Sequence, residues 1–86
     1  MEIKKELIMR EIAGDIILVP VGKAVYDSNG LFALNEVGAF IWKLLPNVHT
    51  EEELCSAVLE QYDVSAETAK QDVHEFLQKL QEMEII

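Results

Sequence analysis

Apolar and polar positions follow two periods in succession along this 86-residue chain. Through residue 34 the apolar residues gather in short runs: Leu7 to Ile12, the β-branched-rich Ile16-Ile17-Leu18-Val19, and Leu31-Phe32-Ala33-Leu34. Runs this short, set between turn residues, predict strands. Gly14-Asp15 separates the first two with glycine leading, the pattern of a two-residue type II′ hairpin turn. Pro20 has no amide to give a central ladder, so the second strand is expected to end there or to lie at an edge. Ala24-Val25-Tyr26 offers a continuation of the sheet. Asp27-Ser28-Asn29-Gly30 reads as a turn, since Asn-Gly tolerates positive φ.

Beyond residue 34 the period changes to that of helices. Asn35 is placed as an N-cap with Glu36 in the first turn, where a carboxylate favours the helix dipole. Val37, Phe40, Ile41, Leu44 and Leu45 then make one apolar stripe, with Gly38 and Ala39 where another element can approach closely. Pro46 and Asn47 end this helix. Thr50-Glu51-Glu52-Glu53 is a capping box that opens a second helix with Leu54, Ala57, Val58 and Tyr62 inward. Ser65 caps a third, in which Ala69, Val73, Phe76, Leu77 and Leu80 form the buried stripe. Asp72, Glu75, Lys79 and Glu82 are expected to lie towards solvent. The result is α+β: three N-terminal β-strands followed by three α-helices, a single domain over residues 1–86. The last two helices, joined by a short polar turn, form a winged helix-turn-helix-like arrangement.

Composition removes several function classes. Seven basic residues against sixteen acidic ones give a formal charge of −9, the wrong sign for a protein that gains affinity for nucleic acid by displacing counterions. No apolar run approaches the roughly 18 residues of a membrane span, and residues 1–6 lack signal-peptide character. A cytoplasmic protein is expected. Cys55 is the only cysteine, so no internal disulfide and no multi-thiolate metal site can form within one chain. His49 and His74 stand far apart and outside any metal-binding spacing. Glu51-Glu52-Glu53 is explained by the helix start it occupies. No phosphate loop, dinucleotide fingerprint or nucleophile elbow is present. We therefore expect no catalytic residue, no metal and no cofactor.

Binding is better supported. If 31–34 is an outer strand, its unpaired amides and carbonyls must be covered, charged or used, and the segment carries no charge and no proline. An extended peptide can add there as a further strand. Pairing with a second copy, or cover by the chain's own hairpin, are the alternatives. Lys70, His74, Leu77 and Gln81 form a mixed stripe on the third helix, either a solvated face or the wall of a groove.

Leu34-Asn35-Glu36-Val37-Gly38-Ala39-Phe40-Ile41-Trp42-Lys43-Leu44-Leu45 resembles the helix start of the pyrroloquinoline quinone biosynthesis protein D (PqqD) family. Thr50-Glu51-Glu52-Glu53-Leu54, Tyr62-Asp63-Val64 and the run Ala69, Asp72, Val73, Phe76, Leu77, Leu80 continue the likeness. It covers nearly the whole chain, least diagnostically over residues 1–14. The resemblance implies a RiPP recognition element, a peptide chaperone that binds the leader of a ribosomally made precursor. In that family the leader adds along the third strand and against the third helix, and is presented to a maturation enzyme, often a radical S-adenosylmethionine enzyme. By position, this implies a peptide edge at Leu31, Phe32, Ala33 and Leu34, and a helical wall at Lys70, Val73, His74 and Leu77. Asn35 and Asp72 match motif positions without an assigned ligand contact. This chain is expected to be a stand-alone form. Two departures stand out: Val37-Gly38 replaces a Thr-Ala type of pair, and Glu84-Ile85-Ile86 replaces a Gly-Leu-Ile-like ending, leaving the third helix without its usual C-cap glycine. The expected partners are a leader peptide and a maturation enzyme, with no nucleic acid and no membrane, and a homodimer through the same edge as the rival. A winged-helix transcription regulator is a weaker alternative, because no basic recognition helix exists.

Overall fold

The computed structural model describes residues 1–22 and 32–86, with Phe32 described for its backbone alone. The expected continuation at 24–26, the turn at 27–30 and Leu31 lie outside the described residues. Strand β1 (Leu7–Ile12), β2 (Asp15–Pro20) and β3 (Phe32–Leu34) form one antiparallel sheet in the order β1-β2-β3. Helix α1 (Glu36–Leu44), a 3₁₀ turn (Leu45–Asn47), α2 (Glu51–Gln61) and α3 (Ala66–Glu82) follow. This is the α+β, winged helix-turn-helix-like succession of three strands and three helices that the sequence predicts.

The first hairpin closes one residue earlier than predicted. Ile12 pairs with Asp15, and the two residues between them, Ala13 and Gly14, take φ of 52° and 85°. Two successive positive φ values make a type I′ turn, whose twist matches the flanking strands; glycine fills its second place, not the first place of type II′. Pro20 ends β2 as expected, although β2 is the central strand. The described ladder to β3 stops at Leu18, paired with Phe32, so Pro20 interrupts no described bond.

All three predicted N-cap side chains accept a helix amide, although of the capping box only the forward bond from Glu53 to Thr50 is present among the described residues. The Asn35 side chain accepts from the Gly38 amide at 2.7 Å, Thr50 Oγ1 from Glu53 at 3.2 Å, and Ser65 Oγ from Thr68 at 3.1 Å. Helix α3 solves the missing glycine with a glutamate. The Ile85 amide donates to the Leu80 carbonyl at 2.8 Å and the Glu84 amide to Gln81 at 3.0 Å, while Glu84 takes φ of 59°. These are the two bonds of a Schellman cap, completed by apolar contact between its ends: Leu80 and Ile85 are both buried.

The core gathers Leu18 from the sheet, Ile41, Trp42 and Leu45, then Leu54 and Val58, and the α3 residues Ala69, Val73, Leu77 and Leu80. Residues 1–6, which the sequence leaves unstructured, close its lower end. Met1 and Ile3 pack against it, the Lys4 amide donates to the Ile85 carbonyl at 2.6 Å, and Lys5 Nζ to the Met83 carbonyl at 2.8 Å. Among the described residues no helix is long and apolar enough to cross a membrane.

Candidate functional site

Strand alternation fixes which backbone groups of β3 point away from β2. The Val21 amide donates to the Glu6 carbonyl at 3.0 Å, so residues 21 and 6 are a hydrogen-bonded pair. Hydrogen-bonded and non-bonded pairs alternate along an antiparallel ladder. The backbone groups of Asp15, Ile17 and Val19 therefore face β1, and those of Ile16 and Leu18 face β3, in register with Leu34 and Phe32. Phe32 and Leu34 are thus spent on β2. Ala33 aims its N–H and C=O out of the sheet, and its side chain is exposed.

Among the described residues that pair has no hydrogen-bond partner, and it borders a groove. Leu34, Val37, Gly38 and Ile41 make the floor of a pocket of about 130 Å³, and Asp72, Glu75, Phe76 and Lys79 of α3 make its far wall. Gly38 permits the close approach expected of it: a Cβ there would stand 3.4 Å from the Phe76 ring and 3.6 Å from a Leu34 methyl. At about 130 Å³ the pocket has room for one side chain of about the size of a benzene ring, over an apolar floor and beside a charged wall. Among the described residues, Asp72 and Lys79 make no ion pair or side-chain hydrogen bond. Glu75 accepts from Gln71 Nε2 at 3.2 Å.

The helical residues that the resemblance points to, Lys70, Val73, His74 and Leu77, do not line this pocket. Val73 is 0% exposed and Leu77 7%, so both belong to the core. Lys70 is exposed. His74 is exposed too, with Nδ1 3.1 Å from Glu51 Oε1 of α2. His74, Leu77 and Gln81 do line a depression, but with Met1, Glu51, Gln78 and Ile86, on the flank of α3 away from β3. The physical reason is the rotation of α3. With Val73, Leu77 and Leu80 pointing inward, the stripe 72, 76, 79 turns towards the sheet edge, and 70, 74, 81 turn towards α2 and the N-terminal segment. Phe76, half-buried between an acid four residues before it and a base three residues after, was the available signal; Glu75 and Lys79 are exposed, as expected of them, and border the groove all the same, while Asp72 is half-buried.

The sheet also has a second edge, β1. There the outward backbone groups belong to Leu7, Met9 and Glu11, beside the exposed Arg10. Charges of this kind discourage strand addition. Cys55 is half-buried, and burial, with Glu51 adding to it, pushes its thiol up from the usual range, which disfavours a reactive thiolate. No group of three or more metal-ligating side chains occurs among the described residues.

Residues 16–86 match the family model described as Coenzyme PQQ synthesis protein D (PqqD). No curated protein matches the chain. Among solved structures, it is similar to TbiB1 in complex with the TbiA(beta) leader peptide, with 27% identity over 99% of this chain and 93% of that one and a TM-score of 0.72. It also shares its fold with lasso peptide synthetase B1 complexed with the leader peptide, at 18% identity, 94% and 89% coverage and a TM-score of 0.70.

Proposed function

The chain belongs to the PqqD family, and from that premise we propose that it is a non-catalytic recognition element for the leader of a ribosomally made precursor peptide. The leader adds as a strand to β3 and lies in the groove against α3. The carrying observation is the outward N–H and C=O of Ala33, without a partner among the described residues, beside a groove with an apolar floor and a charged wall; these are the two components of recognition by strand addition, main-chain bonds for affinity and side-chain pockets for selectivity. The solved leader complex of TbiB1, similar over nearly its whole length, supports the same use of the fold. Contacts are assigned to Ala33, Leu34, Val37, Asp72, Phe76 and Lys79, with Phe32 supplying strand backbone. Val73 and Leu77 hold α3 in place from the core.

Binding raises the effective concentration of precursor beside a maturation enzyme, which in the family that this chain resembles is often a radical S-adenosylmethionine enzyme. The same edge admits a second copy of the chain, and one experiment separates the two. Isotope-labelled protein is titrated with a synthetic leader from a short precursor encoded beside its gene, while light scattering follows mass. Saturable amide shifts at Ala33, Leu34 and 72–79, in a particle that gains only the peptide's mass, are expected. Shifts confined to the His74 and Gln81 flank, or a doubling of mass that leader does not reverse, would overturn the assignment.

A further inference from the structure

We propose, resting on the strand-addition reading above, that the groove selects a guest segment whose helix-facing side chains run base, apolar, acid at alternate positions. The α3 wall is not uniform. Asp72, Phe76 and Lys79 fall on one face of the helix, because four and seven residues are close to one and two turns. Along the axis they are spaced about 6 Å and 4.5 Å, at about 1.5 Å per residue. An extended guest places successive side chains on one face every ~6.8 Å. Three consecutive helix-facing guest residues therefore meet Asp72, the pocket under Phe76, and Lys79 in turn. Long side chains absorb the remaining mismatch.

Charge decides what each position takes. Asp72 is half-buried and Lys79 exposed, and neither has an ion-pair partner among the described residues. Glu75 adds a second carboxylate on the rim, although Gln71 already donates to it. The end of the groove at Asp72 therefore attracts a lysine or arginine and repels an acid; at the other end Lys79, beside Glu75 and Glu82, supplies the cation of the wall, with which a guest acid can pair. Floor residues Leu34, Val37 and Ile41 make the centre apolar. Because Asp72 and Lys79 carry opposite signs, the groove distinguishes the direction in which a guest runs as well as its composition. A guest entering backwards sets like charges against each other.

The test uses two labelled dodecapeptides of identical composition, one with the core Lys-x-Leu-x-Glu and the other Glu-x-Leu-x-Lys, where x is threonine. Fluorescence anisotropy reads affinity, and the Ala33 amide resonance verifies that binding occurs at the edge. One order is expected to bind roughly two- to thirtyfold more tightly, the range that two solvent-rimmed ion pairs span. In the doubly reversed variant Asp72→Lys with Lys79→Glu, the preference is expected to change to the other peptide. Net charge is the same in that variant, so a nonspecific electrostatic effect cannot produce the exchange. Equal affinities for the two orders, or a preference the double reversal leaves in place, would overturn the inference and leave strand addition standing. Binding of neither peptide at the Ala33 amide would remove the open edge, and this inference with it.

Discussion

Replacing Ala33 by proline takes away one hydrogen-bond donor and almost nothing else. In the ladder, Ala33 is the β3 residue whose N–H points away from β2, so Ala33→Pro removes no described bond of the sheet. The ring also projects along the lost N–H direction, into the path of an added strand. The preceding residue is already extended, as a residue before proline prefers. A net main-chain hydrogen bond contributes about 0.5–1.5 kcal/mol, hence a loss of about two- to twelvefold in affinity. If the guest carbonyl is also left dry, the loss rises to about 3 kcal/mol, roughly a hundredfold. Thermal unfolding should move by less than about 1 kcal/mol, or about 4–8 °C for a domain of this size. Titration calorimetry with a leader peptide, alongside circular-dichroism melting, checks both numbers. Ala33→Ser, which keeps the N–H, should bind as the parent does. A folded Ala33→Pro protein with undiminished affinity would refute the assignment of that amide to the guest.

Two further outcomes test the fold. Glu84 and Ala13 hold left-handed φ without being glycine, a conformation that costs an L-residue about 1–2 kcal/mol. Glu84→Gly and Ala13→Asn are therefore each expected to raise the melting midpoint by several degrees; a fall in either would mean the strain is absorbed elsewhere. At alkaline pH the Cys55 thiol and the Tyr62 phenol both titrate above their usual ranges, each chiefly through burial, with Glu51 and Glu36 adding to it respectively. Their folded values exceed the unfolded ones, so this stability is fully present below the unfolded pKa and is lost as pH rises through the folded pKa. Melting midpoints should hold near neutrality and decline above about pH 8.5–10, where free thiols and phenols ionise; Cys55→Ala should flatten the first part of that decline, and an unchanged profile would remove Cys55 as its source.

Local chemistry carried the sequence reading far. Asn35, Thr50 and Ser65 cap helices because a side-chain oxygen and an orphan amide a few residues on need no tertiary partner to find each other. Leu54, Val58, Ala69, Val73 and Leu80 were legible as core because helical periodicity survives packing. Turn type was harder. Gly14 marked a turn, but whether it stood first or second depended on Ile12 pairing with Asp15 across the hairpin. Glu84 at a positive φ was invisible, because the Leu80–Ile85 contact that holds it there forms only when the chain end folds back on the core.

Taken alone, the sequence determined the succession of strands and helices, the helix N-caps, the family resemblance, and the uncharged character of the 31–34 segment. Tertiary structure decided which face of α3 that strand meets. Periodicity says which side chains of a helix turn inward, and it leaves both flanking stripes equivalent; only the docking of α3 between α2 and the sheet gives one flank to Glu51 and Met1 and the other to β3. Asp72, Phe76 and Lys79 became groove residues by that rotation, while Lys70 and His74 were carried to the opposite flank.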